Sequence, residues 1–281
     1  MSRPSPLSSP IPSITHDTIA HKPPLALCLA VPSAKTAEIK EGTVAGNKVI
    51  ERMRRGEKAL GLSLSFYADE LIEVAGRMGL DYVNFDGQHS PTSPETIDRF
   101  CRLCDGWGVT PSMRVPDQIP SNILNYIDRG IQVITVPDIE SKEQAEALVQ
   151  ACFFAPIGRR SFTSPRIMRY GLEGDAGTRM RDTNENMLVM PQIESITSYR
   201  NLDEILTVPG LEVFAGGPND LAQSMGHPGE PNHPDCLKVT EEGTAKIHAA
   251  GKLRSDDVTV EFKATESIQD AIAKLLQANG R

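Results

Sequence analysis

Residues 81–91 read DYVNFDGQHSP, in which an apolar run with the look of a buried strand passes directly into Asp86, Gln88 and His89. A plain turn would suffice to leave a strand, so the meaning of these polar side chains depends on what else in the chain ends the same way. The layout recurs on both sides. The runs ALGLSLS (59–65), TPSMRV (110–115), IQVITVPD (131–138), MLVMPQIE (187–194) and LEVFAGG (211–217) alternate with segments of helical period. Those segments are YADELIEVAGRMG, SPETIDRFCRLCDGWG, IPSNILNYIDRG, SKEQAEALVQACF and SITSYRNLDEILTVPG, several of them ending at a glycine suited to a left-handed C-cap. Such alternation is the pattern of parallel βαβ units. Polar groups close nearly every strand: Ser65, Asp86 to His89, Arg114, Asp138, Glu194, and Asn219 with Asp220. A doubly wound sheet would spread these ends along a crevice, whereas a (β/α)8 barrel gathers them over one mouth. The expected fold is therefore α/β, a TIM-type barrel.

The chain has 281 residues, a length normal for one such barrel. Residues 1–35 are rich in Ser and Pro and are expected to be a disordered tail, which leaves 36–281 as a single barrel domain. With 39% hydrophobic and 5% aromatic residues, a large aliphatic core is available but few rings for stacking bases. The formal charge of -8 and the lack of a basic block argue against nucleic acid. No apolar run approaches the ~20 residues of a membrane span, so no membrane partner is expected. The N-terminal LALCLAV (25–31) is too short and follows Pro-Pro, which does not read as a signal peptide. Five scattered cysteines, odd in number, argue against a disulfide framework and for a reducing, cytoplasmic setting. Cys101 and Cys104 form a CxxC inside an amphipathic helical pattern with no second pair or nearby His, and read as packing, with zinc or redox use the alternative.

Two carboxylates on adjacent strand ends, Glu194 and Asp220, can hold one hard divalent cation while leaving room for a bidentate substrate. The plain alternative makes them helix-start residues, Glu194 before SITS and Asp220 in DLAQSMG. Gly216 and Gly217 favour the ligand reading, because they let backbone come close to a bound anion. Arg114, at the end of a strand, can bind a carboxylate or polarise a carbonyl; a structural ion pair is its alternative. His89 is the only one of six histidines at a strand end and is a natural general base. Asp86 can orient it, or can instead cap the helix around SPET.

The motifs DGQHSP, PSMRVP, APIGRRSF (155–162), PQIE and FAGGPNDLAQSMG together resemble the HpcH/HpaI family of class II, metal-dependent 2-oxoacid aldolases, over about residues 45–252. IGRRSF and PQIES are also similar to the fungal macrophomate synthase-like members, which decarboxylate oxaloacetate and join the enolate to a pyrone. The resemblance implies a phosphoenolpyruvate/pyruvate-binding type of barrel, assembled as a homo-oligomer, usually a hexamer. It implies a divalent metal, Mg2+ first with Mn2+ or Co2+ as alternatives, that chelates a small 2-oxoacid substrate. Carried onto this chain, Glu194 and Asp220 match the metal-binding carboxylates, and Arg114 matches the arginine at the keto oxygen. His89 matches the catalytic histidine with Asp86 as its partner. Gln192 matches the glutamine near the metal, and Gly217, Pro218 and Asn219 match the loop that binds the substrate carboxylate.

Two departures stand out. Gln88 occupies a position where the family usually has Glu, which removes a charge beside the site. After HAAGKL (248–253) the chain passes through RSDD to VTVEF and the helix TESIQDAIAKLLQANG, so the seventh β/α unit is expected to be missing. The implied activity is aldol cleavage and condensation of 4-hydroxy-2-oxoacids through an enolate of pyruvate. Oxaloacetate decarboxylation and a catalytically impaired barrel acting as a binding or structural subunit are the alternatives. Residues 163–186 are long for a connection and are expected to form a lid or an interface arm.

Overall fold

A computed structural model describes residues 46–280; the stretch 1–35 and Cys28 fall outside the described residues. The described chain enters through α1 (Lys48–Arg54), whose amides at Val49 and Ile50 donate to Asn47 Oδ1 at 3.0 and 3.2 Å. It continues through β1 (Ala59–Leu64), α2 (Asp69–Arg77), β2 (Tyr82–Asp86), α3 (Pro94–Trp107), β3 (Thr110–Arg114) and α4 (Pro120–Arg129). Then come β4 (Val133–Val136), α5 (Lys142–Cys152), a 3-10 segment (Arg166–Gly171) and α6 (Ala176–Glu185). The next elements are β5 (Leu188–Ile193), α7 (Ile196–Arg200), α8 (Leu202–Ile205), β6 (Val213–Gly216), α9 (Pro218–Ser224) and α10 (Pro234–Ala249). The chain finishes with β7 (Leu253–Arg254), α11 (Ser255–Val258), β8 (Thr259–Lys263) and α12 (Ala264–Ala278).

All strand pairs are parallel, in the order β7-β6-β5-β4-β3-β2-β1-β8. This is a curled eight-stranded TIM-type sheet that has two ends. The expected absence of the seventh unit needs correction. A two-residue β7 pairs with β6, Val213 to Leu253 and Phe214 to Arg254, and a helix of four residues follows it. A parallel crossover between neighbouring strands takes about a dozen residues. Four residues are too few, so β7 and β8 do not pair and the sheet stays open between them. On its other side β8 pairs along its whole length with β1, from Ala59 with Thr259 to Ser63 with Lys263.

Alternation with period two sorts the side chains. Leu62, Leu64, Val83, Phe85, Met113, Ile134, Val136, Val189, Ile193 and Phe214 point to the helices and join the main core. Ser63, Asn84, Ser112, Thr135 and Gln192 face the interior cavity instead. These inward polar groups pair among themselves. Ser112 Oγ donates to Asn84 Oδ1 at 3.0 Å, and Asn84 Nδ2 donates to Ser63 Oγ at 3.3 Å. A second apolar cluster, with Val49 and Ile50 of α1, Val133, Leu188, Met190 and Val213, closes the amino-terminal end. Gly61 is required here, since the Tyr82 ring fills the space a Cβ would take.

Cys101 and Cys104 lie fully buried on α3, where burial pushes both thiols far above their ordinary values. Cys152 is raised to about 12 by the same cause. These environments suit packing residues, not thiolate ligands. Among the described residues no helix is long and apolar enough to cross a membrane.

Candidate active site at the carboxyl ends of the strands

The carboxyl ends of the strands surround a cavity of about 500 Å3. Asp86, Arg114, Gln192 and the loop Gly216–Asp220 line it, together with Ser63, Ser65, Asn84 and Ser112. The sheet therefore brings together most of the residues singled out in the sequence.

Arg114 closes β3 directly beside Asp86 of β2, because the register pairs the two positions. Its guanidinium forms a two-pronged bond to that carboxylate, Nε to Oδ1 at 3.0 Å and Nη2 to Oδ2 at 2.6 Å. The Gln88 amide also donates to Asp86 Oδ1 at 3.1 Å. Burial pushes the Asp86 carboxyl up, but the bonds and charge of Arg114 and the amides of Gln88 and His89 outweigh it and hold the group below its ordinary range. Asp86 is thus the anchor of Arg114 and touches His89 only through the backbone. His89 is exposed and stands outside the side chains that line the cavity.

Glu194 is 2% exposed. Helix α7 is capped by Ser195, whose Oγ accepts from the Ser198 amide at 3.1 Å, so the carboxylate of Glu194 is not used as a cap. Its Oε1 accepts instead from the Asp138 amide at 2.9 Å, while Oε2 is buried without a partner. Burial raises the Glu194 pKa to about 7, helped by the negative charges of Asp138 and Asp220 and opposed by the Asp138 amide and Arg114. Asp220, exposed in the first turn of α9, is thus close enough to be felt. Gly217 fits because any side chain there would overlap Glu194 Oε2 and stand 3.0 Å from Gln192 Nε2.

Several contributors have roles that the sequence did not show. Asp138 takes a left-handed backbone with φ of 56°, unusual for a residue with a side chain, and thereby aims its amide at Glu194. Gln118 steadies that turn by donating to the carbonyls of Pro137 and Asp138 at 3.0 and 2.6 Å. Glu261 and Lys263 of β8 and Thr265 of α12 also line the cavity. The register of β8 on β1 supplies them, and no spacing rule could have shown it.

Other expectations end elsewhere. None of the residues 163–186 lines the cavity. Arg166 bonds to Asp105 of α3 and to the Arg129 carbonyl of α4, which lays the segment along those helices and away from the mouth. The arginines of IGRRSF do not reach the cavity either. Arg160 is buried, donates to Asp128 at 2.7 Å and stands over the Phe154 ring at 4.8 Å.

The donor set fits a hard divalent cation. Glu194 Oε2 and Gln192 Oε1 are both buried and unpartnered, and each orphaned oxygen costs roughly 1–3 kcal/mol unless something positive meets it. With Asp220, whose charge reaches Glu194, they would make an all-oxygen set, the kind that suits Mg2+ or Mn2+.

Comparison with known proteins gives the same direction. The HpcH/HpaI aldolase/citrate lyase family model matches residues 60–277. A 2-keto-3-deoxy-L-rhamnonate aldolase of Escherichia coli O17:K52:H18 is 31% identical over 206 residues, 73% of this chain and 77% of that protein. The crystal structure of an HpcH/HpaI aldolase from Desulfitobacterium hafniense DCB-2 superposes with a TM-score of 0.75 at 19% identity, covering 81% of this chain and 95% of the other. Macrophomate synthase superposes with a TM-score of 0.72 at 18% identity, covering 84% and 89%. At these identities the two structures establish the fold alone.

Proposed function

The chain belongs to the HpcH/HpaI aldolase/citrate lyase family, and on that premise we propose that it is a metal-dependent carbon–carbon lyase acting on 4-hydroxy-2-oxoacids, with pyruvate and an aldehyde as products. The observation that carries the reading is an anchored arginine that shares one cavity with Gln192, Gly217 and Asp220, with the buried Glu194 carboxylate outside the lining and packed against Gly217. Glu194 and Asp220, with Gln192 beside them, would hold a divalent ion, Mg2+ being the first choice. Bound there, the ion would supply Lewis-acid polarisation of the 2-keto group.

The chain's own groups do the rest. Arg114, fixed in direction by Asp86, donates to the keto oxygen and strengthens as negative charge grows there. The loop Gly217–Asn219 receives the substrate carboxylate through the amides of Gly217 and Asn219, with Pro218, which has no N–H, fixing the turn between them. A base takes the proton from the 4-hydroxyl, the C3–C4 bond breaks, and its electron pair passes into the enolate that Arg114 holds. A proton delivered to C3 then completes pyruvate. His89, exposed beyond the end of β2 and outside the cavity lining, is the base we assign. Residues 36–281 make up the catalytic domain in this reading, and free cysteines at 101, 104, 152 and 236 fit a reducing, cytoplasmic setting.

The test compares pyruvate release from 2-keto-3-deoxy-L-rhamnonate and from oxaloacetate under Mg2+ or Mn2+. Release from the sugar acid with equimolar aldehyde supports the aldolase. Turnover of oxaloacetate alone replaces it with a decarboxylase, and failure of a metal-loaded protein on both points to an impaired barrel, for which the gap between β7 and β8 is the structural motive.

We also propose self-association. Val260 and Phe262 on β8 and Ile268, Ile272, Leu275 and Leu276 on α12 are all at least 41% exposed, an apolar area that a second copy of the chain would cover. Sedimentation equilibrium is expected to give an oligomer, and substituting Ile272 and Leu275 by Asp is expected to give monomers. A wild type that sediments as a monomer at working concentration contradicts this.

A further inference from the structure

The link between α9 and α10 carries a second constellation with no part in the cavity. It reads HPGEPNHPD, residues 227–235. The Glu230 amide donates to the His227 carbonyl at 3.0 Å and the His233 amide to the Glu230 carbonyl at 2.9 Å. Two successive turns, the first carrying Gly229 in a left-handed conformation with φ of 81°, fold the link back on itself and bring positions 227, 230 and 233 close together. Ligand atoms of His227, Glu230 and His233 accordingly lie within 4.8 Å of one another. Asp235 joins them, with Oδ2 3.8 Å from both His227 Nε2 and His233 Nδ1. The two imidazole rings are stacked, centroids 3.5 Å apart.

We propose that His227, Glu230 and His233, with Asp235 as a fourth donor, form a second metal site that takes a zinc-class transition ion. Two imidazole nitrogens with carboxylate oxygens match Zn2+, whereas the all-oxygen set in the cavity matches Mg2+. Donors around a tetrahedral zinc stand roughly 3.3 Å apart, as follows from bonds of about 2.0 Å. The Asp235 contacts at 3.8 Å are near this, and the His227, Glu230 and His233 ligand atoms, within 4.8 Å of one another, close the remaining distance by side-chain rotation. His227 and His233 are half-buried and Glu230 is exposed, so the side chains have room to close. Coordination turns the rings out of their stack about the Cβ–Cγ torsion, which is broad for histidine. His233 Nδ1 accepts from the Asp235 amide at only 3.3 Å, a long cap that is easily exchanged for a metal bond. The ion ties the link into the start of α10 and so stiffens the exit from α9.

The experiment loads the full chain with Zn2+, dialyses it against a weak chelator and counts retained zinc in wild type, His227→Asn, Glu230→Gln and Glu194→Gln. His227 caps nothing, so its variant should fold normally, with an unaltered thermal transition in the presence of chelator. The expected result is a tightly held zinc that survives Glu194→Gln but is bound at least about tenfold more weakly in both link variants. Zinc retention that is equal in wild type and both link variants, or that disappears only in Glu194→Gln, overturns the proposal.

Discussion

Replacing Glu194 by Gln is expected to abolish metal-dependent turnover and at the same time to stabilise the protein in chelator. The loss of activity should exceed about 100-fold, since removing even an outer partner of a ligand costs 10–100-fold. The gain in stability follows from burial. The Glu194 pKa rises from 4.5 to about 7 because the ionised form is desolvated. Below about pH 4.5 the carboxyl is protonated in both folded and unfolded chains and the substitution changes little. As pH rises through that value the unfolded chain ionises first, and the wild type loses stability until the folded group ionises near 7. Above pH 7 the difference is constant, on the order of 3 kcal/mol at about 1.4 kcal/mol per unit. Melting in chelator should therefore show Glu194→Gln above wild type at pH 8 and level with it at pH 4. Added Mg2+ should raise the wild-type transition and leave the variant unmoved. A variant that retains turnover, or melts below wild type at pH 8 in chelator, removes Glu194 from the role assigned to it.

Arg114→Lys is expected to lower kcat by about 100- to 1,000-fold with a smaller change in KM, the mark of a group whose bond strengthens as the enolate forms. Lysine keeps the charge but not the planar fork that binds Asp86 through two nitrogens. Asp86→Asn should lower kcat by a smaller factor, because it loosens the arginine without removing it. Steady-state kinetics on the better substrate checks both. If Arg114→Lys changes KM alone, Arg114 only binds substrate and does not stabilise charge developing at the keto oxygen.

How much could be read in advance depended on whether a feature is local. The strands with their period-two faces and the glycine at 108, left-handed with φ of 65°, are written in neighbouring residues, and so were visible. The strand-end residues followed, because strand polarity dictates that the carboxyl ends share a mouth. The partner of Asp86 was not visible. Three residues separate Asp86 from His89, which invites pairing them, but the pairing of β2 with β3 sets Arg114 beside it at a separation of 28 residues. Asp138 is visible in sequence only as a strand end, and its role depends on a left-handed backbone no residue type announces. The seventh unit is hidden in the sequence because its two strand residues, Leu253 and Arg254, lie below the length at which alternation can be seen. The site at His227, Glu230 and His233 was written locally as H-x-x-E-x-x-H, yet a loop between two helices gave no reason to look there.

The measurement that bears most directly on the whole account is pyruvate release from a 4-hydroxy-2-oxoacid by the wild-type chain, before chelation, after exhaustive EDTA treatment and after Mg2+ is restored, with Glu194→Gln alongside. The expected result is turnover that vanishes with the metal, returns with it and never appears in the variant. Turnover that persists in EDTA, or that Glu194→Gln supports at the wild-type rate, would contradict the metal-dependent lyase built around Glu194, Asp220 and Arg114.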